Sequence, residues 1–238
     1  MPIEVPEATL AVNARVGIDL GTKTLATLSN GDKIAMPAFY RANEAKLATS
    51  QRARKTRRVK AIHAKIRNRR KDHLHKETTK LVRRYGFIAV ANVSPSKLAR
   101  TNMAKSVLDA GWSDLRTMLS WKSRLRGGGM CLEVPEHLTT RCSECGCLPP
   151  ARPRGIAGLR IREWTCDDCG AVHDRDVNAA TNILRVGLHA LVEKVRAAKA
   201  GAQKLLPSGR GVVTLPKSRD IGAGRQGRRQ ARATFRSR

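Results

Sequence analysis

Cys142, Cys145, Cys166 and Cys169 form two CxxC pairs, and the second is followed closely by the run HDRDVNAATNIL. Pairs at this spacing suit a tetrahedral tetrathiolate zinc site: each presents two sulfurs to one metal, and the intervening segment returns as a ribbon. The run that follows puts two carboxylates, Asp174 and Asp176, at the start of a predicted helix. A zinc ribbon directly upstream of an acidic helix start points to a metal-dependent nuclease domain. Cys131 and Cys147 are left as bystanders, although Cys147 is close enough to the first pair to compete as a ligand. His173 adjoins the second pair, but four thiolates already close a structural site.

The charge of the chain points to a polyanion as its partner. With 47 Lys+Arg against 19 Asp+Glu, the 238 residues carry a formal net charge of +28. Such a field exceeds what solubility requires, and nucleic acid is the expected partner. Metal-type cysteine spacing fits a reducing cytosol better than a secreted disulfide scaffold. The N-terminal MPIEVPEATLAV has no basic n-region or long apolar run, which predicts neither export nor a membrane span.

The elements that must position these groups can be read in order. Residues 14 to 36 predict three short strands, the first ending in Asp19, with a Ser29-Asn30-Gly31-Asp32 turn before the third. Residues 41 to 84 predict two basic helices or one broken one, with Val59, Ile62, Ile66, Leu74 and Leu81 as a narrow apolar stripe. Basic residues there far outnumber acidic ones, so helix-stabilising ion pairs do not account for them. Arg52, Arg54, Lys55, Arg57, Arg58, Arg67, Arg69, Arg70 and Lys71 are the expected phosphate contacts. His63, His73 and His75 lie among them as solvated or phosphate-facing groups. GFIAVANV (86 to 93) predicts a buried strand. Residues 101 to 125 predict one helix burying Met103, Val107, Leu108, Trp112, Leu115 and Leu119, and residues 130 to 134 a further strand. A last helix is expected from Asp174 to about Lys199, burying Val177, Ala180, Ile183, Leu184, Leu188 and Leu191. From Gly201 the Gly/Arg/Pro/Ser composition predicts a disordered basic tail.

An Asp-ended strand in a three-stranded meander, a helix, a strand, a helix and a late acidic helix start describe a ribonuclease H-like α/β fold. GIDLGTKTLATLSNG, the basic helices, AGWSDLRTMLSWK, CSECG…CDDCG and HDRDVNAATNIL together resemble the TnpB (OrfB) proteins of bacterial insertion sequences, relatives of type V CRISPR effectors. The resemblance spans about residues 14 to 187. It implies a RuvC nuclease with a mixed sheet and an inserted zinc ribbon, cutting DNA under a transposon-derived guide RNA in the bacterial cytoplasm, at the nucleoid. It also implies catalytic Mg2+ or Mn2+ beside structural Zn2+, with Asp19 as the first RuvC carboxylate and Asp176 as the last. The expected organisation is an N-terminal segment (1–13), a RuvC-like core (14–138) carrying the basic helices, the zinc ribbon (139–172), the final helix (173–199) and the basic tail (200–238).

Two departures from the family pattern matter. Family members usually carry Glu followed by Asp or Asn at the end of the middle strand, where this chain has Ala91-Asn92. Some branches supply the glutamate from the segment before the first cysteine pair, which makes Glu136 the expected replacement and Glu133 the second choice. The family also has a substantial region before the first RuvC strand, so the sequence reads as a truncated or minimal form. The alternative to a nuclease is a catalytically inactive relative that occupies DNA or RNA without cutting. GIDLGT also opens the phosphate loop of actin-like ATPases, but Gly127-Gly128-Gly129 lacks the Asp and Thr of their second loop.

Overall fold

Three strands, Arg15–Leu20 (β1), Thr24–Leu28 (β2) and Lys33–Ala35 (β3), form an antiparallel meander in the computed structural model. The structure describes residues 14–94, 104–126, 129–135, 139–150, 152–153, 155 and 157–205. The β2–β3 turn uses Gly31 at φ 89°, a left-handed conformation that glycine adopts without steric cost. Phe87–Asn92 (β4) and Met130–Pro135 (β5) then add in parallel, giving one sheet in the order β3-β2-β1-β4-β5. That mixed order is the one expected of a ribonuclease H-like sheet. β1 is the central strand with β4 as its parallel neighbour, and Val16, Ile18, Ile88, Ala89, Val90 and Ala91 are fully buried. The unbroken apolar run of β4, FIAVA, follows from helices covering both faces. Asp19 is the penultimate residue of β1, which continues through Leu20.

The basic segment forms two helices, Glu44–Arg52 (α1) and Thr56–Arg84 (α2). The break falls at Arg54, whose φ of 51° is a left-handed conformation a helix cannot continue through. Ile66, Leu74 and Leu81 are buried, while Val59 and Ile62 are only half-buried.

The single helix expected over 101 to 125 is instead two, Ala104–Ala110 (α3) and Trp112–Leu125 (α4). Gly111, at φ 65°, interrupts it. A Cβ there would lie 3.1 Å from Arg70 Cδ and 3.2 Å from Leu74 Cδ1, so the glycine also lets α2 approach closely. Val107, Trp112, Leu115 and Leu119 are buried as expected, whereas Met103 and the Leu108 side chain lie outside the described residues. Lys122 of α4 is buried, and its Nζ donates to the His75 carbonyl (2.7 Å), Thr78 Oγ1 (2.8 Å) and Thr79 Oγ1 (2.7 Å) of α2. Burial without a carboxylate partner lowers its pKa.

Two short strands, Glu163–Thr165 (β6) and Val172–Asp174 (β7), make a separate antiparallel ribbon. It leads directly into the last helix, Arg175–Leu205 (α5). α5 starts one residue later than expected, because Asp174 serves as its cap, and it runs beyond Lys199 through an Ala-rich stretch of high helix propensity. The chain divides into two units, residues 1–198 and 199–238, and the described part of the second is the end of α5. The expectation of a disordered tail, from residue 206 onward, lies outside the described residues.

Candidate functional site

The two cysteine pairs fold as matching knuckles. Gly146 and Gly170 each follow a second cysteine, with φ of 77° and 71°. Their N–H groups return to the carbonyls of Cys142 (3.0 Å) and Cys166 (2.8 Å). In turn, the Cys142 and Cys166 N–H groups donate to the carbonyls of Cys147 (3.0 Å) and Ala171 (2.9 Å). The four sulfurs lie within 4.8 Å of one another, with 3.7 Å separating Cys142 from Cys169 and Cys145 from Cys166. A tetrahedral zinc with Zn–S bonds of about 2.3 Å places its sulfurs about 3.8 Å apart, so the donor set fits zinc. Cys147 stands outside the cluster and is exposed.

His173, buried beside the cluster, has Nε2 3.1 Å from Cys142 Sγ, and Trp164 packs against its ring at 4.9 Å. A histidine here orients a ligand sulfur, so it supports the site without completing it. Burial opposes ionisation of Cys142, but N–H groups of Cys145 and Glu144 and the His173 ring outweigh it and bring the thiol down to about 6.

α5 holds the first knuckle by side chains that sequence reasoning left unassigned. Asn178 Oδ1 accepts from the Ser143 N–H (2.8 Å) and its Nδ2 donates to the Arg141 carbonyl (2.8 Å). Asn182 Nδ2 donates to the carbonyls of Arg141 (2.6 Å) and Thr139 (3.2 Å), and Arg185 donates to that of Ser143. The signal lay in the NAATN spacing, which puts both asparagines on one helix face at i and i+4.

The same helix start faces a cleft of about 440 Å3 lined by Asp19, Thr22, Lys23, Trp112, Thr139, Thr140, Arg162, Trp164, Arg175, Asp176 and Asn178, among others. Asp19 and Asp176 therefore reach one cavity beside the ribbon. Asp176 is mostly buried and both its oxygens are engaged: Oδ2 accepts from Arg162 (2.7 Å), Oδ1 from Arg175 (2.7 and 3.0 Å). Asp174 has a different task. Its Oδ1 accepts the N–H groups of Asp176 (2.9 Å) and Val177 (3.1 Å), capping α5, and Oδ2 pairs with Lys33 at 2.8 Å. Burial raises its pKa, but Lys33 and the two N–H groups prevail and hold it below the usual carboxylate value.

Sheet register decides which other residues can share that cleft. α5 crosses the face carrying Gly17 and Ala89: a Cβ on Gly187 would lie 2.5 Å from Ala89 Cβ, and one on Gly17 would collide with the Ala180 carbonyl oxygen. Asp19 and Ala91 follow two residues along each strand and so lie on the same face. Ala91, where the family carries its glutamate, is fully buried. Glu133 pairs in register with Val90 on the opposite face, where its Oε2 accepts from Arg116 of α4 at 3.1 Å and Arg116 also donates to Asn92. Glu133 is thus turned away from Asp19. Glu136 lies outside the described residues.

Of the nine basic residues expected at phosphates, eight are exposed, on α1, at the α1–α2 break and on α2. Arg70 is half-buried, its side chain laid over Gly111. His63 is exposed; His73 and His75 are half-buried against Phe39 and Trp121.

The model described as "Probable transposase" (OrfB of IS605) matches residues 1–102, and the "Cas12f1-like, TNB domain" model matches residues 112–183. The chain is a relative of the TnpB (OrfB) proteins. It is 41% identical over 194 residues to the "Putative RNA-guided DNA endonuclease" of Streptomyces pristinaespiralis, covering 76% of this chain and 47% of that protein. It is 30% identical over 205 residues to the "Putative RNA-guided DNA endonuclease InsQ" of Escherichia coli K12, covering 74% and 50%. The chain thus spans about half the length of these TnpB-type relatives. The fold matches a chain in the "Cryo-EM structure of the Cas12f1-sgRNA-target DNA complex" with a TM-score of 0.54 at 18% identity, covering 77% of this chain and 52% of that one. Among the described residues no helix is long and apolar enough to cross a membrane.

Proposed function

We propose that this chain is the RuvC and zinc-ribbon part of an RNA-guided DNA endonuclease of the TnpB type. The observation that carries the reading is the convergence of Asp19 and Asp176 on one cleft beside the four-cysteine ribbon. Its partners are DNA and a guide RNA, drawn by the +28 charge and the exposed basic faces of α1 and α2. Asp19 and Asp176 would hold Mg2+ or Mn2+, with Glu136 as the third carboxylate. Bound there, the ions supply an activated water and neutralise charge on the leaving oxygen. Arg162 and Arg175, which pair with Asp176, border the same cleft and would be placed to meet substrate phosphates if Asp176 held an ion. The proposed boundaries are a core of 14–138, a ribbon that starts at 139 and ends with β7, the closing helix α5 (Arg175–Leu205) and a basic tail beyond it.

Ala91 in place of the family glutamate and the doubly paired Asp176 favour a second reading, a relative that occupies nucleic acid without cutting. Mn2+ titration of the zinc-loaded chain by electron paramagnetic resonance separates the two. The nuclease reading expects saturable binding that Asp19→Ala and Glu136→Ala each weaken. It also expects Mn2+-dependent cleavage of target DNA once guide RNA and a relative's N-terminal region are supplied. Mn2+ binding indifferent to Asp19→Ala would leave the binding-only reading standing.

A further inference from the structure

Three tryptophans occupy very different places in this chain. Trp112 and Trp164 are buried, at 2% and 7% exposure, whereas Trp121 is 40% exposed on the outer side of α4. Aromatic residues make up only 3% of the sequence, so an indole left in solvent is not surplus core. Trp121 is also held in place. Its ring meets His75 of α2 edge-on, with centroids 6.2 Å apart, and its neighbour Lys122 is anchored into α2 by three hydrogen bonds. One turn along α4, Leu125 is 69% exposed and extends the apolar surface.

The surroundings of this patch are basic. Arg124 lies three residues beyond Trp121 on α4, and Lys71 lies one turn before His75 on α2, both exposed. The two acids that flank His75 on α2 are already paired, Asp72 with Lys76 and Glu77 with Lys80, each at 2.8 Å. The indole, with Lys122 Nζ over its ring 5.6 Å from the centre and exposed Arg124 and Lys71 nearby, is complementary to an unpaired nucleobase and its flanking phosphates, because the base offers a π-face while the backbone supplies the anions.

We propose that Trp121 is a stacking platform for a base of single-stranded nucleic acid, with Arg124 and Lys71 on the adjoining phosphates. This rests on the nucleic-acid-binding part of the reading above, but not on cleavage. A duplex hides the faces of its bases, so the contact discriminates single strands from double strands. Stacking releases no counterions, so it adds affinity without adding to the salt dependence.

The test is intrinsic tryptophan fluorescence of the full zinc-loaded chain, titrated with a 12-mer of dT and with a mixed-sequence duplex. Trp112 and Trp164 are buried, so quenching by the single strand is expected to be large in the wild type and sharply reduced in Trp121→Leu, where only the two indoles that line the cleft remain to respond. Anisotropy of a labelled 12-mer is expected to show a Kd for Trp121→Leu about 5- to 150-fold weaker, the range that loss of one base stack implies. The slope of log Kd against log salt should stay unchanged. Trp121→Phe, which keeps an aromatic face, should recover most of the affinity. Duplex binding should be the same in all three proteins, which shows that the general phosphate contacts survive. Equal single-strand affinity in wild type and Trp121→Leu overturns the proposal. So does a wild-type oligomer that Trp121→Leu dissolves on size exclusion, since the patch would then be a protein contact.

Discussion

Replacing Gly17 by alanine tests how the cleft is assembled. β1 and α5 touch backbone to backbone at this residue. A methyl on Gly17 would collide with the Ala180 carbonyl oxygen and sit 2.7 Å from the Leu184 nitrogen and 2.9 Å from its Cβ. The first two obstacles are main-chain atoms of one helix, so no rotamer change relieves them, and α5 must lift from the sheet. Overpacking of a tight core costs about 1–3 kcal/mol, and a clash with rigid backbone belongs at about 3 kcal/mol. For a folded unit of this size, each kcal/mol lowers Tm by about 2–4 °C, so a loss of about 6–12 °C is expected. Differential scanning calorimetry of the zinc-loaded protein measures it. The knuckles are closed by their own hydrogen bonds, so zinc content should stay at the wild-type value while Tm falls. A Gly17→Ala variant melting within about 1 °C of the wild type would refute the claim that close β1–α5 contact sets the Asp19–Asp176 cleft.

Three further outcomes follow from the same geometry. Cys142→Ser together with Cys169→Ser should remove the zinc from a chain that otherwise carries about one per molecule, as read by elemental analysis; full retention would exclude the tetrathiolate. Asn182→Ala leaves the Arg141 and Thr139 carbonyls without this donor and should cost about 1–3 kcal/mol, with faster amide exchange over residues 139–143. Burial, with Glu133 adding and Arg124 opposing, pushes the Cys131 thiol up to about 12. A dye reagent at pH 8 should therefore modify exposed Cys147 quickly and Cys131 only after unfolding. The folded chain keeps a proton that the unfolded chain loses above about pH 9, so this group favours unfolding as pH rises toward 12, and Cys131→Ala should flatten the alkaline loss of stability.

Local features were legible in the sequence. Each CxxCG knuckle is fixed by hydrogen bonds within a few residues, so the spacing of Cys142, Cys145, Cys166 and Cys169 alone specified the sulfur cluster. Short apolar runs bounded by turns likewise marked β1, β2, β4 and β5, and the charge followed from counting. Tertiary contacts decided the rest. Gly111 reads as one weak residue in an apolar helical pattern, and only the approach of Arg70 and Leu74 explains why α3 and α4 part there. The choice of Glu133 as a reserve carboxylate failed because strand alternation says that neighbours oppose, but not which face meets α5; Gly17 and Gly187 settle that by letting α5 close on the face of Gly17 and Ala89. Asp174 and Asp176 look equivalent along the chain. Their roles separate only where Lys33, more than a hundred residues earlier, and Arg162 of the ribbon arrive beside them, because charge partners are chosen by distance in space.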